Sequence, residues 1–217
     1  MPEHHHDPTR HTDPQTTDPV TFWEEFYGGG QRPWSGRPNG ILVGELTARP
    51  LTTGSVLDLG SGSGADAVWF AEQGWTVTGV DISAAALAVA AQAAEEAAVA
   101  DRIEWLRRDL EREFPAGTWD LVVASYLHSP VAFARDQVLR RAAAAVAPGG
   151  TLLILGHEGF PAWHQSPVTM PTIADVLAAL ELTGWELVRT ERVGFAMASP
   201  DGEPGERTDH LIRLRRT

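Results

Sequence analysis

Cysteine is absent from this chain, and so is lysine: all seventeen basic residues are arginine. Without thiols there are no disulfides, no thiolate metal ligands and no cysteine nucleophile, and without a side-chain amine there is no Schiff-base chemistry. Positive charge is also scarce. Seventeen basic residues stand against 29 acidic ones, and a formal charge of −12 supplies no basic footprint for neutralising phosphates, so no nucleic-acid partner is expected. The arginines that end the chain, Arg213, Arg215 and Arg216, read as a solvated strand edge. Long apolar runs are missing too: no membrane span or membrane partner is expected, and the polar, His- and Pro-containing start is not a secretory signal. These absences describe a cytoplasmic protein with a small-molecule substrate, and they specify no oligomeric state.

What is present fits one well-buried domain, since 217 residues are too few for a nucleotide-binding domain plus a separate substrate domain. Residues 1–19 are rich in His, Asp, Thr and Pro without apolar periodicity and read as a disordered tail, in which His4, His5 and His6 bind metal only adventitiously. Asp18-Pro19 is a cap-and-start signal for a short helix carrying Phe22, Trp23, Phe26 and Tyr27, which ends at Gly28-Gly29-Gly30. A loop with Trp34 and Arg37 follows, and Asn39 is placed to cap a second helix through Ile41, Leu42 and Leu46. Aromatics beside a triple glycine suit a hinged cover, so 20–50 is read as a helical lid on a domain spanning 20–217.

From residue 54 short apolar runs alternate with helical patterns. Strands are expected at Ser55 to Leu59, Thr76 to Val80, Ile103 to Arg107, Leu121 to Ser125 and Thr151 to Gly156, each short and mostly apolar as a sheet covered on both faces requires. The helices between them are Ala65 to Gln73, Ser83 to Ala98 and Pro130 to Ala147, with Ser83 and Ser129 as N-caps and Pro148-Gly149-Gly150 as a helix stop. Thr172 to Asp175 resembles a capping box opening a helix that runs to Gly184. Trp185 to Arg192 and Thr208 to Arg215 then form an antiparallel hairpin. The sum is an α/β fold: a Rossmann-like, doubly wound, mostly parallel sheet of seven strands.

In such a sheet the ligand lies outside the carboxyl ends of the strands, so the residues that end each strand carry the chemistry. The first strand runs into Asp58-Leu59-Gly60-Ser61-Gly62-Ser63-Gly64, a glycine turn that opens a helix and offers backbone N–H groups to a ligand. Asp58 sits where a carboxylate can meet a cationic amino group. The same turn fits a dinucleotide fingerprint, Gly60-x-Gly62-x-x-Ala65, with Asp81 at the spacing of its ribose acid, so the glycines alone do not choose the cofactor. Asp81-Ile82 ends the second strand, Asp109-Leu110 follows the third, and Ser125-Tyr126-Leu127-His128 follows the fourth. His157 ends the fifth, and Trp163-His164 lies a few residues on. Tyr126, His128 and His157 are candidates to orient or deprotonate an acceptor, and a three-His metal site is the competing arrangement.

Taken together, Asp58 to Gly64, Val80-Asp81-Ile82-Ser83, Asp109-Leu110, Asp120-Leu121-Val122-Val123 and Pro148-Gly149-Gly150 resemble the class I S-adenosylmethionine-dependent methyltransferases. Phe22-Trp23-Glu24, Pro33-Trp34 and Arg37 are similar to the narrower branch of tellurite-resistance, thiopurine and halide/thiol methyltransferases. The resemblance implies S-adenosyl-L-methionine as cofactor. It sets Asp58 and Gly60 near the methionine moiety, Asp81 on the ribose and Asp109 by the adenine, with Ser61, Gly62, Gly64, Ile82 and Leu110 also among the cofactor-binding residues. Ser125, Trp34 and Arg37 complete that set, while Trp23, Tyr27, Trp163 and His164 fall on the acceptor side. The Asn/Asp-Pro-Pro-aromatic signature of amino-methylating nucleic-acid enzymes is missing after the fourth strand. A small-molecule acceptor is implied, its atom undetermined among sulfur, oxygen, nitrogen, halide and metalloid. An NAD-dependent oxidoreductase and a His-dependent metal-binding protein are the alternatives on the same fold.

Overall fold

A computed structural model describes residues 18–29, 36–164 and 169–217. Most of the expected tail and Trp34 therefore lie outside the described residues, while Asp18 and Pro19 belong to the first helix. Seven strands form one sheet: β1 (Ser55–Leu59), β2 (Thr76–Asp81), β3 (Ile103–Arg107), β4 (Trp119–Ser125), β5 (Val146–Gly159), β6 (Trp185–Ala198) and β7 (Pro204–Arg216). Their order is β3-β2-β1-β4-β5-β7-β6, with β1 to β5 parallel and β7 antiparallel to both of its neighbours. The order reverses between β1 and β4, which opens a crevice above the glycine turn.

Alternate residues of the central strands divide the core. Leu57, Leu59, Val122, Ala124, Leu152 and Ile154 pack with α5 (Arg135–Ala144) and α6 (Ile173–Leu180) on one face. Val56, Leu121, Val123, Leu153 and Leu155 pack with α2 (Gly40–Ala48) and α3 (Ala65–Glu72) on the other. Both sets are buried, which is why each strand reads as a continuous apolar run.

Local signals set most helix starts. Asp18 accepts from Thr21 N at 3.0 Å and Pro19 opens α1 (Pro19–Gly28); Asn39 caps α2. Ser83 caps α4 (Ala84–Glu96) through Ala86 N, and Thr172 with Asp175 forms the capping box of α6. That helix stops at Leu180, where Glu181 turns left-handed, short of Gly184.

Three expectations need correction. α5 begins at Arg135 and not at Pro130: the Ala134 N–H is taken by the Glu111 carboxylate at 2.7 Å, and Arg141 clamps the Leu110 and Glu111 carbonyls, so a distant loop sets this start in place of Ser129. Pro148-Gly149-Gly150 does not stop that helix. It lies inside β5 as an irregular lead-in, with Gly149 at φ +78° and the register shifting between Trp119 and Leu121. Nor is Arg213 on a solvated edge. β7 lies between β5 and β6, and Arg213 is buried with its guanidinium on Glu45 Oε1 at 2.8 Å.

Candidate active site

The carboxyl ends of the parallel strands, α1, α2 and the β6–β7 hairpin enclose one cavity of about 1020 Å³. This is at the upper end of ordinary ligand sites. The half over the glycine turn is lined by Asp58, Gly60, Ser61, Gly62, Asp81, Ile82, Asp109 and Leu110, and Trp23, Tyr27 and Arg37 also line the wall. Ser125, Tyr126, His128 and His157 line the cavity at the ends of β4 and β5.

The glycine turn closes around Gly62, which has φ +53°, and a Cβ there would stand 2.7 Å from the Tyr27 hydroxyl. A side chain at this position is disfavoured both by backbone conformation and by Tyr27 of α1 lying on it. Gly64 has a different task. It does not line the cavity, and a Cβ on it would meet Ala90 and Trp105, so it lets α3 approach α4.

Three carboxylates gather behind this turn. Asp58 is 2% exposed, and its Oδ2 has no hydrogen-bond partner among the described residues. Burial, and then the charges of Asp66 and Asp81, push its pKa well above the usual carboxylate range. Asp66 is also raised by burial, although the Asn39 N–H, at 2.7 Å, and Ser125 work against the shift. Asp81 is raised by burial too, while accepting from Gly62 N at 2.8 Å and Ser83 N at 2.9 Å. Asp109 caps its own turn, accepting from Glu111 N at 3.0 Å.

The cluster at the ends of β4 and β5 centres on a residue the sequence reading missed. Asp209 on β7 is fully buried and accepts from His157 Nδ1 at 2.7 Å, the Tyr126 hydroxyl at 2.6 Å and Arg207 at 3.0 Å. Burial alone would raise its pKa, but the His157 and Tyr126 hydrogen bonds, with the charges of His157 and Arg207, outweigh burial and hold Asp209 ionised below its ordinary value. An ionised carboxylate only accepts, so His157 carries its proton on Nδ1 and keeps Nε2 as the basic nitrogen. Burial, followed by the bond to Asp209, raises the Tyr126 pKa and keeps that phenol protonated. Tyr126 itself sits at φ +51°.

His128 is arranged otherwise. Its Nε2 accepts the His157 backbone N–H at 3.2 Å, and burial, then the charges of His157, Arg135 and His210, pull its pKa down to about 4. The two imidazoles stack with centroids 5.7 Å apart and planes 14° apart, so their nitrogens do not converge on a common ion. His164 stacks on Phe160 at 4.2 Å, and Trp163 packs against β7 at Gly205; neither lines the cavity. Among the described residues no three His, Asp or Glu side chains group as metal ligands. His128, His157 and His164 thus form no such group among the described residues.

Glu24 was likewise illegible. From α1 it accepts from Ser83 Oγ, Ala84 N and Ala85 N at 2.8–3.0 Å and pairs with Arg107 at 2.9 Å, capping α4 from another helix. Although burial works against it, these bonds lower the Glu24 pKa.

Residues 56–150 match the profile of a methyltransferase domain family. Residues 56–150 therefore carry a methyltransferase domain. Over 118 residues it is 34% identical to the uncharacterised protein YjhP of Escherichia coli K12, a match spanning 52% of this chain and 44% of that relative. Among solved structures, TehB from Haemophilus influenzae superposes with a TM-score of 0.69 at 15% identity, covering 90% of this chain and 67% of TehB. A methyltransferase from Geobacter sulfurreducens in complex with S-adenosylhomocysteine gives 0.62 at 18% identity, covering 93% and 99%. At these identities the likeness is one of fold. The methyltransferase domain supplies the glycine turn and strands β1 to β4, whereas Asp209 and Arg207 lie beyond the matched stretch.

Proposed function

We propose that this chain transfers a methyl group from S-adenosylmethionine to a small-molecule nucleophile, with His157 as the proton acceptor and Asp209 orienting it. Asp58 carries the reading. A buried carboxylate with an unpartnered oxygen, crowded by two further acids at a glycine turn, fits a ligand that brings a cationic ammonium. A pyrophosphate would add negative charge to the same place, which disfavours a dinucleotide. Calorimetry with S-adenosylhomocysteine and NAD tests the choice: binding of NAD alone overturns it.

Bound there, S-adenosylmethionine would supply an electrophilic methyl group, with its sulfur as the leaving group, to the lone pair of an acceptor. The chain's own contribution is positional. Asp58 and Asp81 hold the cofactor's polar groups, the cavity wall excludes water, and His157 Nε2 takes the proton that an O–H, N–H or S–H acceptor must lose. Orientation of this kind lowers a barrier by roughly 7–11 kcal/mol in favourable systems. His128 acts as a positioning residue, because its Nε2 is already spent on the backbone of His157.

Asp81 leaves lone pairs beside its two backbone bonds for ribose hydroxyls. Asp81→Ala is expected to weaken S-adenosylhomocysteine binding by about 1.5–3 kcal/mol, the range for hydrogen bonds to a charged group. Unchanged calorimetric affinity in a folded variant would remove this assignment.

Residues 20–50 serve as a lid in this reading, and Glu24 is the latch that seats α1 on the start of α4. Glu24→Ala removes a cap worth about 0.5–2 kcal/mol. The variant should be cleaved faster by protease within residues 19–28, with S-adenosylhomocysteine restoring protection. Cleavage at the wild-type rate would show that α1 is held by its aromatic packing alone.

A further inference from the structure

We propose that the methyl acceptor carries a carboxylate received by Arg207, with its nucleophilic group set apart from that carboxylate and directed to His157; this rests on the methyl-transfer reading above. Arg207 and Asp209 are two residues apart on β7 and thus share a face of the sheet. Arg207 is therefore one side chain away from the Asp209–His157 pair while lining the same cavity.

The cavity's arginines differ in how far their charge is already matched. Arg189 meets two carboxylates, Glu45 at 3.3 Å and Glu191 at 2.6 Å, and Arg49 pairs with Glu45 at 3.0 Å, which Arg213 also shares. Arg207 has one carboxylate, Asp209, which it shares with His157 and Tyr126. Its Nε is buried without a hydrogen-bond partner among the described residues, as is that of Arg189, but only the Arg189 Nε has a carboxylate beside it, Glu45 at 3.3 Å. The guanidinium carbon lies 4.7 Å from the Phe195 ring centroid, and Phe195 faces Arg207 across the β6–β7 ladder. A planar cation seated against an aromatic ring has little rotational freedom left to lose, and its donors match the two oxygens of a carboxylate. In a chain of net charge −12, a cavity that keeps an under-matched guanidinium selects for an anion. Val193 and Phe195 also line this part of the cavity and give the acceptor's body an apolar seat.

The test titrates protein saturated with S-adenosylhomocysteine with benzoate and phenylacetate, each against its primary amide. The acids should bind about tenfold or more tighter than the amides, a difference of about 1.4 kcal/mol. Arg207→Gln should abolish that preference, and Arg207→Lys should keep part of it, because the charge survives without the planar fork. Affinity for S-adenosylhomocysteine should be the same in all three proteins, which also reports that the variants fold. Equal binding of acids and amides, a preference that survives in Arg207→Gln, or no binding of either acid overturns the carboxylate assignment and leaves methyl transfer standing. Failure of the wild type to bind S-adenosylhomocysteine takes down both readings.

Discussion

His157→Asn is expected to lower turnover by about 10²–10⁴ while affinity for S-adenosylhomocysteine stays close to wild type, because proton removal contributes in the transition state and not in cofactor binding. The expectation rests on the 2.7 Å bond from Nδ1 to the ionised Asp209, which leaves Nε2 as the proton acceptor. Asp209→Asn tests the same arrangement from behind. An amide can donate to Nδ1 and stabilise the wrong tautomer, and it no longer stabilises an imidazolium, so turnover should fall again without loss of cofactor. His128→Asn separates base from positioner. It removes the acceptor of the His157 backbone N–H, so it should cost less in turnover than His157→Asn and leave the pH profile unmoved. Single-turnover rates across pH decide the matter; wild-type rates in His157→Asn would mean that the acceptor arrives already deprotonated and that His157 only shapes the cavity.

Asp58→Asn is expected to weaken cofactor binding by about 3 kcal/mol or more, roughly 10²-fold, since it deletes the carboxylate half of a buried ion pair. The same change should stabilise the cofactor-free protein. Burial and two neighbouring carboxylates raise Asp58 well above its ordinary value in the folded state. The folded chain therefore holds a proton that the unfolded chain releases near pH 4, about the value of a free Asp. Between that pH and the raised folded pKa the native state binds more protons than the unfolded state, so stability falls as pH rises through the window. Above it the full penalty is present. Asp58→Asn should melt higher than wild type at neutral pH, and the gap should close towards pH 4. Cofactor binding reverses the effect, because an ammonium beside Asp58 lowers its pKa and expels the proton. Wild-type affinity should therefore grow with pH across the window, and calorimetry in buffers of different ionisation enthalpy should record proton release. A variant that binds cofactor normally, or one no more stable than wild type at neutral pH, would show that Asp58 is an ordinary turn acid.

How much of this was legible follows from distance along the chain. The glycine turn, the N-caps at Asp18, Asn39, Ser83 and Thr172, and the buried strands β1 to β4 all depend on residues within a few positions of one another. Each could be read directly, and strand adjacency then placed His128 and His157 on one rim. The start of α5 was misread because Ser129-Pro130 is a good local signal that loses to Glu111, twenty-three residues earlier, whose carboxylate takes the Ala134 N–H. Arg213 was misread for a related reason. Its run of arginines looks like a solvated edge until β6 pairs outside β7 and α2 brings Glu45 over it.

By itself, the sequence determined an α/β sheet with a cofactor turn, the strand-end acids Asp58, Asp81 and Asp109, and a chain that excludes thiol and lysine chemistry. Tertiary structure alone decided which groups act on one another. Glu24 caps a helix sixty residues away, and Asp66 joins Asp58 and Asp81 in one crowded acidic site. Asp209, unremarkable in the sequence of the last strand, becomes the partner of His157 and Tyr126 from across the β5–β7 pairing. The physical reason is that backbone preference and capping are local, whereas a pKa, a tautomer and an unmatched charge depend on burial and on neighbours that only the folded sheet brings within 3 Å.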